Sequence, residues 1–200
     1  MTDRKLIRGL STALLFTVAS QIFYITVVSG SENEALRPIT WMVELISFSL
    51  TTIFAMALTV RRPFQALGWA VIAFAGTLNV IQVAMGLSMF GPALEAGETV
   101  PQLFAAILAG AFFFYFLAKL LLGGAAVIFG LGAFGASSGW RKALGGVAAL
   151  AGTAAVAAQL LAMVDAESWR FPAGATGTAV TALLAMLLLA DASLPDRSRT

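Results

Sequence analysis

The run that decides the fold is residues 100–135, VPQLFAAILAGAFFFYFLAKLLLGGAAVIFGLGAFG, apolar except for a single charge, Lys119, near its middle. A helix needs only about 20 such residues to cross the roughly 30 Å hydrocarbon core of a bilayer. This stretch is a membrane span with length to spare, and it places a cation at hydrocarbon depth. Insertion scales set the cost of that charge at about 2.5–3.5 kcal/mol, so partners for it are expected among the neighbouring helices.

Working outward, the same character extends over the whole chain. Of 200 residues 60% are hydrophobic and 11% charged, whereas soluble domains carry about a quarter charged residues. The expected fold is all-α, a polytopic membrane protein with six transmembrane helices in one bundle. The spans are read at about residues 9–29, 39–60, 65–90, 103–134, 143–164 and 175–190, with 191–200 as a polar tail. The first span follows Arg4, Lys5 and Arg8. It is longer than the roughly 7–15-residue core of a signal peptide and has no small-residue cleavage site, so it is read as uncleaved. The fourth is longer than a bilayer requires. It tilts, starts in the interface, or bends at Gly123-Gly124.

Basic residues orient the bundle. The N-terminus, the Arg61-Arg62 turn, the Arg141-Lys142 turn and the tail hold nine of the twelve Lys and Arg. The other three connections hold Arg37 and Arg170 against six acids, Glu32, Glu34, Glu95, Glu98, Asp165 and Glu167. Because Lys and Arg mark cytoplasmic loops, both termini are expected inside, in a bacterial inner membrane. Trp41, Trp69, Trp140 and Trp169 fall near span ends and are expected to act as interfacial anchors.

Depth then singles out a polar set. Counting about 1.5 Å per residue from the span ends, Glu44 lies about 8 Å below the outer boundary, Gln21 and Gln82 about 12 Å, and Gln159 about 8 Å. Asn79 is one turn deeper than Gln82, on the same face. Lys119 lies near mid-depth, with Tyr115 one turn above it. Side chains from five spans thus converge in the outer half. Two readings stay open. The set forms a polar pocket that binds or transports a small molecule or a lipid, with Glu44 and Lys119 recognising the ligand or carrying a proton. Alternatively, Glu44 and Lys119 pair and the amides act as interhelical glue, in a non-catalytic accessory subunit of a larger membrane complex. Partners expected are the bilayer, an amphipathic ligand, and either other membrane subunits or a second copy of the chain.

Other classes find no support. There is no cysteine and no histidine, which removes disulfides, thiolate chemistry and the commonest metal and haem ligands. No enzyme, cofactor, metal site or nucleic-acid partner is expected. GLGAFG at 130–135 closes a membrane span and does not follow a strand, so it is not a dinucleotide loop. The aromatic run at 112–116 covers every face of its helix, so some of its rings must meet lipid. Gly145, Ala149 and Gly152 follow small-xxx-small spacing and predict a close helix contact, within the bundle or at a dimer seam.

Three further stretches carry a likeness. MVELISFSLTTIFAMALTVRRP (42–63), LNVIQVAMG (78–86) and the Trp-Arg-Lys before a Gly/Ala-rich fifth span resemble a group of bacterial six-helix inner-membrane proteins, catalogued as a domain of unknown function (the 4386 type). The likeness runs over about residues 5–190. It matches Glu44 to an acid near the outer end of the second span and Ile81-Gln82 to an Ile-Gln pair in the third. It implies the six-helix fold and the inner membrane, but no activity, and Lys119 has no expected counterpart in it.

Overall fold

A computed structural model describes residues 1–33 and 35–193; Glu34 and residues 194–200 of the expected tail lie outside the described residues. Among the described residues all regular structure is helical. The six helices are α1 (Asp3–Phe23), α2 (Leu36–Arg61), α3 (Ala66–Glu95), α4 (Leu103–Ala136), α5 (Gly139–Val164) and α6 (Ala166–Ala192). Each is long and apolar enough to cross a membrane. Helix satisfies every main-chain donor and acceptor within the segment, as a chain this apolar requires if it meets no water.

Several helices outrun their expected ends. α1 starts at Asp3, capped by the Thr2 hydroxyl, and continues through a π-helical turn, Tyr24–Val28. α3 passes through Gly91-Pro92 to Glu95, where a loop was expected. α6 starts at Ala166, nine residues earlier than position 175, and carries Pro172 in its second turn. This proline lies beyond the first turn, whose N–H groups go unused, so it removes the helix donor to the Ser168 carbonyl. The α6 cap is Asp165, which accepts from the Ser168 backbone N–H at 3.2 Å. Hydrogen bonding from Ser168, side chain first, holds this carboxyl below its ordinary range. α4 runs unbroken through Gly123-Gly124 for 34 residues, about 51 Å at 1.5 Å per residue.

α1 packs on α2 and α6, α2 on α3, α3 on α4 and α4 on α6, which closes a ring of five helices. α5 lies outside the ring against α4 and α6. Alternating directions gather the starts of α1, α3 and α5 and the ends of α2, α4 and α6 at one end of the bundle, called here the termini end. Salt bridges tie that end together: Arg61 to Asp3 (2.9 Å), Arg62 to Asp3 (3.4 Å) and Asp191 (3.2 Å), and Arg141 to Asp191 (3.7 Å). They are partly exposed, where each such pair is worth about 0–1 kcal/mol.

The ring is filled differently at its two ends. Towards the termini end Leu10, Leu58, Trp69, Ile72, Phe129 and Leu188 belong to one buried apolar cluster. Trp69 corrects an expectation. It is not an interfacial anchor but is fully buried, its ring 4.4 Å from that of Phe129. Trp140 is 64% exposed and sits where an anchor would. At the distal end an aromatic arc crosses four helices. Tyr24 stacks on Trp41 (6.3 Å), Trp41 meets the edge of Phe90 (5.7 Å), and Phe90 that of Phe104 (5.4 Å). Within the aromatic run of α4, Phe116 is buried and Phe113 is exposed.

The small-residue spacing in α5 has its partner inside the bundle. A Cβ on Gly152 would lie 2.6 Å from the Gly123 carbonyl oxygen, and one on Gly145 2.7 Å from that of Gly130. The two backbones touch, and only glycine permits it. Gly152→Leu should therefore lower stability by about 1–3 kcal/mol, the usual range for overpacking. Gly124→Ala, where an added Cβ meets nothing within 4 Å, should leave it unchanged or raise it slightly. Thermal unfolding of both variants in detergent checks the contrast, and equal losses would refute the seam.

Candidate functional site: a buried lysine across the ring

Lys119 stands 16 residues from the start of α4 and 17 from its end, by count between Leu103 and Ala136. It is 0% exposed. Its stem lies against Gly177 of α6, where a Cβ would be only 3.0 Å from Lys119 Cγ and 3.1 Å from Gln159 Nε2. A side chain at 177 would push both away, so this glycine makes room for the lysine and for the α5 amide.

The ammonium finds neutral acceptors on two helices. Lys119 Nζ donates to Gln21 Oε1 at 2.9 Å and to Thr181 Oγ1 at 3.4 Å. Thr181 donates its own proton to the Gly177 carbonyl (2.7 Å), which leaves its oxygen free to accept. Thr178, one turn away on the same face of α6, donates to Gln21 Oε1 at 3.1 Å. The Gln21 oxygen is therefore shared by α4 and α6, and the Lys119–Gln21 bond reaches across the ring between two helices whose backbones do not approach. Tyr115 lies one turn along α4 with its ring centroid 5.6 Å from Nζ, within cation–π range.

The other expected residues divide. Gln159 adjoins the cluster, donating from Nε2 to the Ala173 carbonyl at 2.7 Å. Its Oε1 is buried without a partner. Glu44 is buried on α2 beside Ser20 and within electrostatic reach of Lys119. The direct pairing considered from sequence is not formed: among the described residues the ion pairs within 4.0 Å involve neither Glu44 nor Lys119. Asn79 is buried on α3, but its Nδ2 donates to Ala75 of its own helix (3.1 Å) and its Oδ1 has no partner. Gln82 is half-buried and joins no hydrogen bond of the cluster.

Two residues that complete the cluster, Thr178 and Thr181, were not singled out from sequence. Hydroxyls in membrane helices usually bond their own backbone, and Thr181 does so. The available signal was their i,i+3 spacing just after Gly177. Among the described residues no group of three acidic side chains is placed to hold a metal ion.

A charged donor with well-placed acceptors loses about 1.5–3 kcal/mol per hydrogen bond removed. Gln21→Leu should accordingly destabilise the fold by about that amount, while Gln82→Leu should cost well under about 1 kcal/mol. Unfolding of the two variants in mixed detergent micelles measures the difference. Equal effects would mean that the bond across the ring contributes nothing.

Compared with known proteins, the chain matches no family model, no curated protein and no solved structure.

Proposed function

We propose that the chain is an integral protein of a bacterial inner membrane, crossing it six times with both termini in the cytoplasm, and that it binds a small amphipathic molecule in the distal half of its ring. The distribution of basic residues supports the orientation, and the likeness to the six-helix group supports the fold and the inner membrane. One observation carries the binding reading: a fully buried ammonium at the middle of the longest helix, whose hydrogen-bond acceptors among the described residues are both neutral. An ammonium has three protons to give, and intramembrane cations of this kind mark ligand and ion pathways. Glu44 faces the same region from α2 without touching Lys119. A ligand with an acceptor group for Lys119 and a donor for Glu44 would complete both.

A second reading has its own observation. The cluster is closely packed, and neither surface depression between α1 and α2 is lined by any of the seven expected residues. That favours interhelical glue in an accessory subunit of a larger complex.

Native mass spectrometry of the protein drawn gently from its own membranes separates the two. Under the binding reading a small molecule is retained and is lost in Lys119→Met and Glu44→Gln, while both variants still fold. A stoichiometric protein partner, retained equally by wild type and variants with no small molecule bound, would overturn it in favour of the subunit.

A further inference from the structure

The outer face of the α1–α2 pair holds a groove lined by none of the residues that bond Lys119. Two adjoining hollows of about 480 and 280 Å³ share Phe16 and Val43 as lining residues. On α1 they extend from Gly9 to Phe23, 14 residues and so about 21 Å. Phe16, Val43, Ile46, Leu50 and Phe54 make the walls apolar. Two of its four hydroxyls are turned to their own helix: Ser47 donates to the Val43 carbonyl (2.9 Å) and Thr40 to that of Leu36 (2.7 Å). An occupant therefore meets mostly hydrocarbon, with Thr12 and Ser20 the remaining hydroxyls of the lining.

One end of this groove is cationic. The α1 positions that line it, 9, 12, 13, 16, 19, 20 and 23, form one helical stripe, and the next position back on that stripe is Lys5. On α2 the stripe through Leu50 and Phe54 continues to Arg61, which turns over Asp3 and donates to the Met1 carbonyl (2.8 Å). Lys5 and Arg8 are exposed and make no ion pair among the described residues. At the distal end the lining is Phe23, Ile39 and Thr40, and a single exposed cation, Arg37, stands one turn beyond it on α2. The groove is thus a channel for one long apolar chain, with two exposed cations on α1, Lys5 and Arg8, gathered at its termini-end mouth.

We propose that the α1–α2 groove is a binding site for an anionic phospholipid, one acyl chain lying between Gly9 and Phe23 and the phosphate meeting Lys5 and Arg8. The length fits, since about 21 Å exceeds the half-thickness, about 15 Å, of a hydrocarbon core. A chain rooted in one leaflet can lie in the groove along its full extent. The charge fits as well, because basic residues beside a span attract anionic lipids of the cytoplasmic leaflet. The site rests on the reading of these helices as membrane spans, and it is independent of Lys119.

The test uses the full-length protein in mild detergent, incubated with phosphatidylglycerol or with phosphatidylcholine of the same chains, and native mass spectrometry. Wild type should retain one phosphatidylglycerol, at least about fivefold over phosphatidylcholine, the preference expected of a single basic side chain at the surface. Lys5→Gln should reduce that preference about fivefold. Thr12→Trp and Ala19→Phe, at exposed lining positions, should each lower retention of both lipids, while Lys119→Met should retain phosphatidylglycerol as wild type does. Equal retention of the two lipids by wild type, or unchanged retention in both groove-filling variants, would overturn the proposal. A groove-filling variant is scored only if it melts as wild type does. Release of the protein from membranes by alkaline carbonate would instead overturn the membrane reading beneath it.

Discussion

The hydrogen bond from Lys119 to Gln21 joins two helices, α1 and α4, that do not pack on each other. α1 and α4 sit on opposite sides of a five-helix ring, and their backbones never come close. A side chain long enough to cross that gap, ending in a group that cannot be left unpaired, fixes how wide the distal half of the ring is. Water would weaken such a bond by competing for it. In a low-dielectric interior an unsatisfied ammonium is far more costly than an unsatisfied amide, so the same bond becomes a constraint on every helix that supplies a partner. The Gln21 oxygen serves Lys119 and Thr178 together, and Gly177 is small because the lysine stem occupies the space a side chain would need.

The two halves of the ring are therefore held by different physics. Near the termini end, Leu, Ile, Trp and Phe side chains interdigitate and the constraint is shape. In the distal half it is the pairing of donors and acceptors. The ion-pair cluster of Asp3, Arg61, Arg62, Asp191 and Arg141 adds little energy, being half in solvent, but it links the start of α1, the α2–α3 turn, the start of α5 and the end of α6. α5 adds a third device. Its glycines lie directly on those of α4, and the backbone contact replaces side-chain packing.

How much of this could be read in the chain depended on whether the relevant signal was local. Six long apolar runs are local, and so is the seven-residue step from Gly145 to Gly152, whose close contact was expected and whose partner proved to be α4. The gathering of Gln21, Tyr115, Lys119 and Gln159 followed from depth alone, because antiparallel spans bring equal depths together. What depth does not contain is azimuth. Asn79 and Gln82 have the right height, but Asn79 bonds its own helix and Gln82 joins no bond of the cluster. Glu44 has the right height and does not reach the lysine. Trp69 lies near the start of its helix, as an anchor would, but its side points into the ring, where Phe129 covers it. Pro92 and Pro172 read as loop punctuation and are carried inside helices, Pro92 in the last turn of α3 and Pro172 in the second turn of α6.

Chain order adds a temporal side to the lysine's surroundings. Gln21 precedes Lys119 by 98 residues, and Thr181 follows it by 62. At a synthesis rate of about 5–20 residues per second, the ribosome needs about 3–12 s after making Lys119 to reach its threonine partner. Through that interval α1 supplies the acceptor already made, while α5, whose glycines match those of α4, is the first helix to follow. A nascent chain in this state holds its buried cation by one bond, and α6, the last helix, closes both the ring and the coordination of the amine.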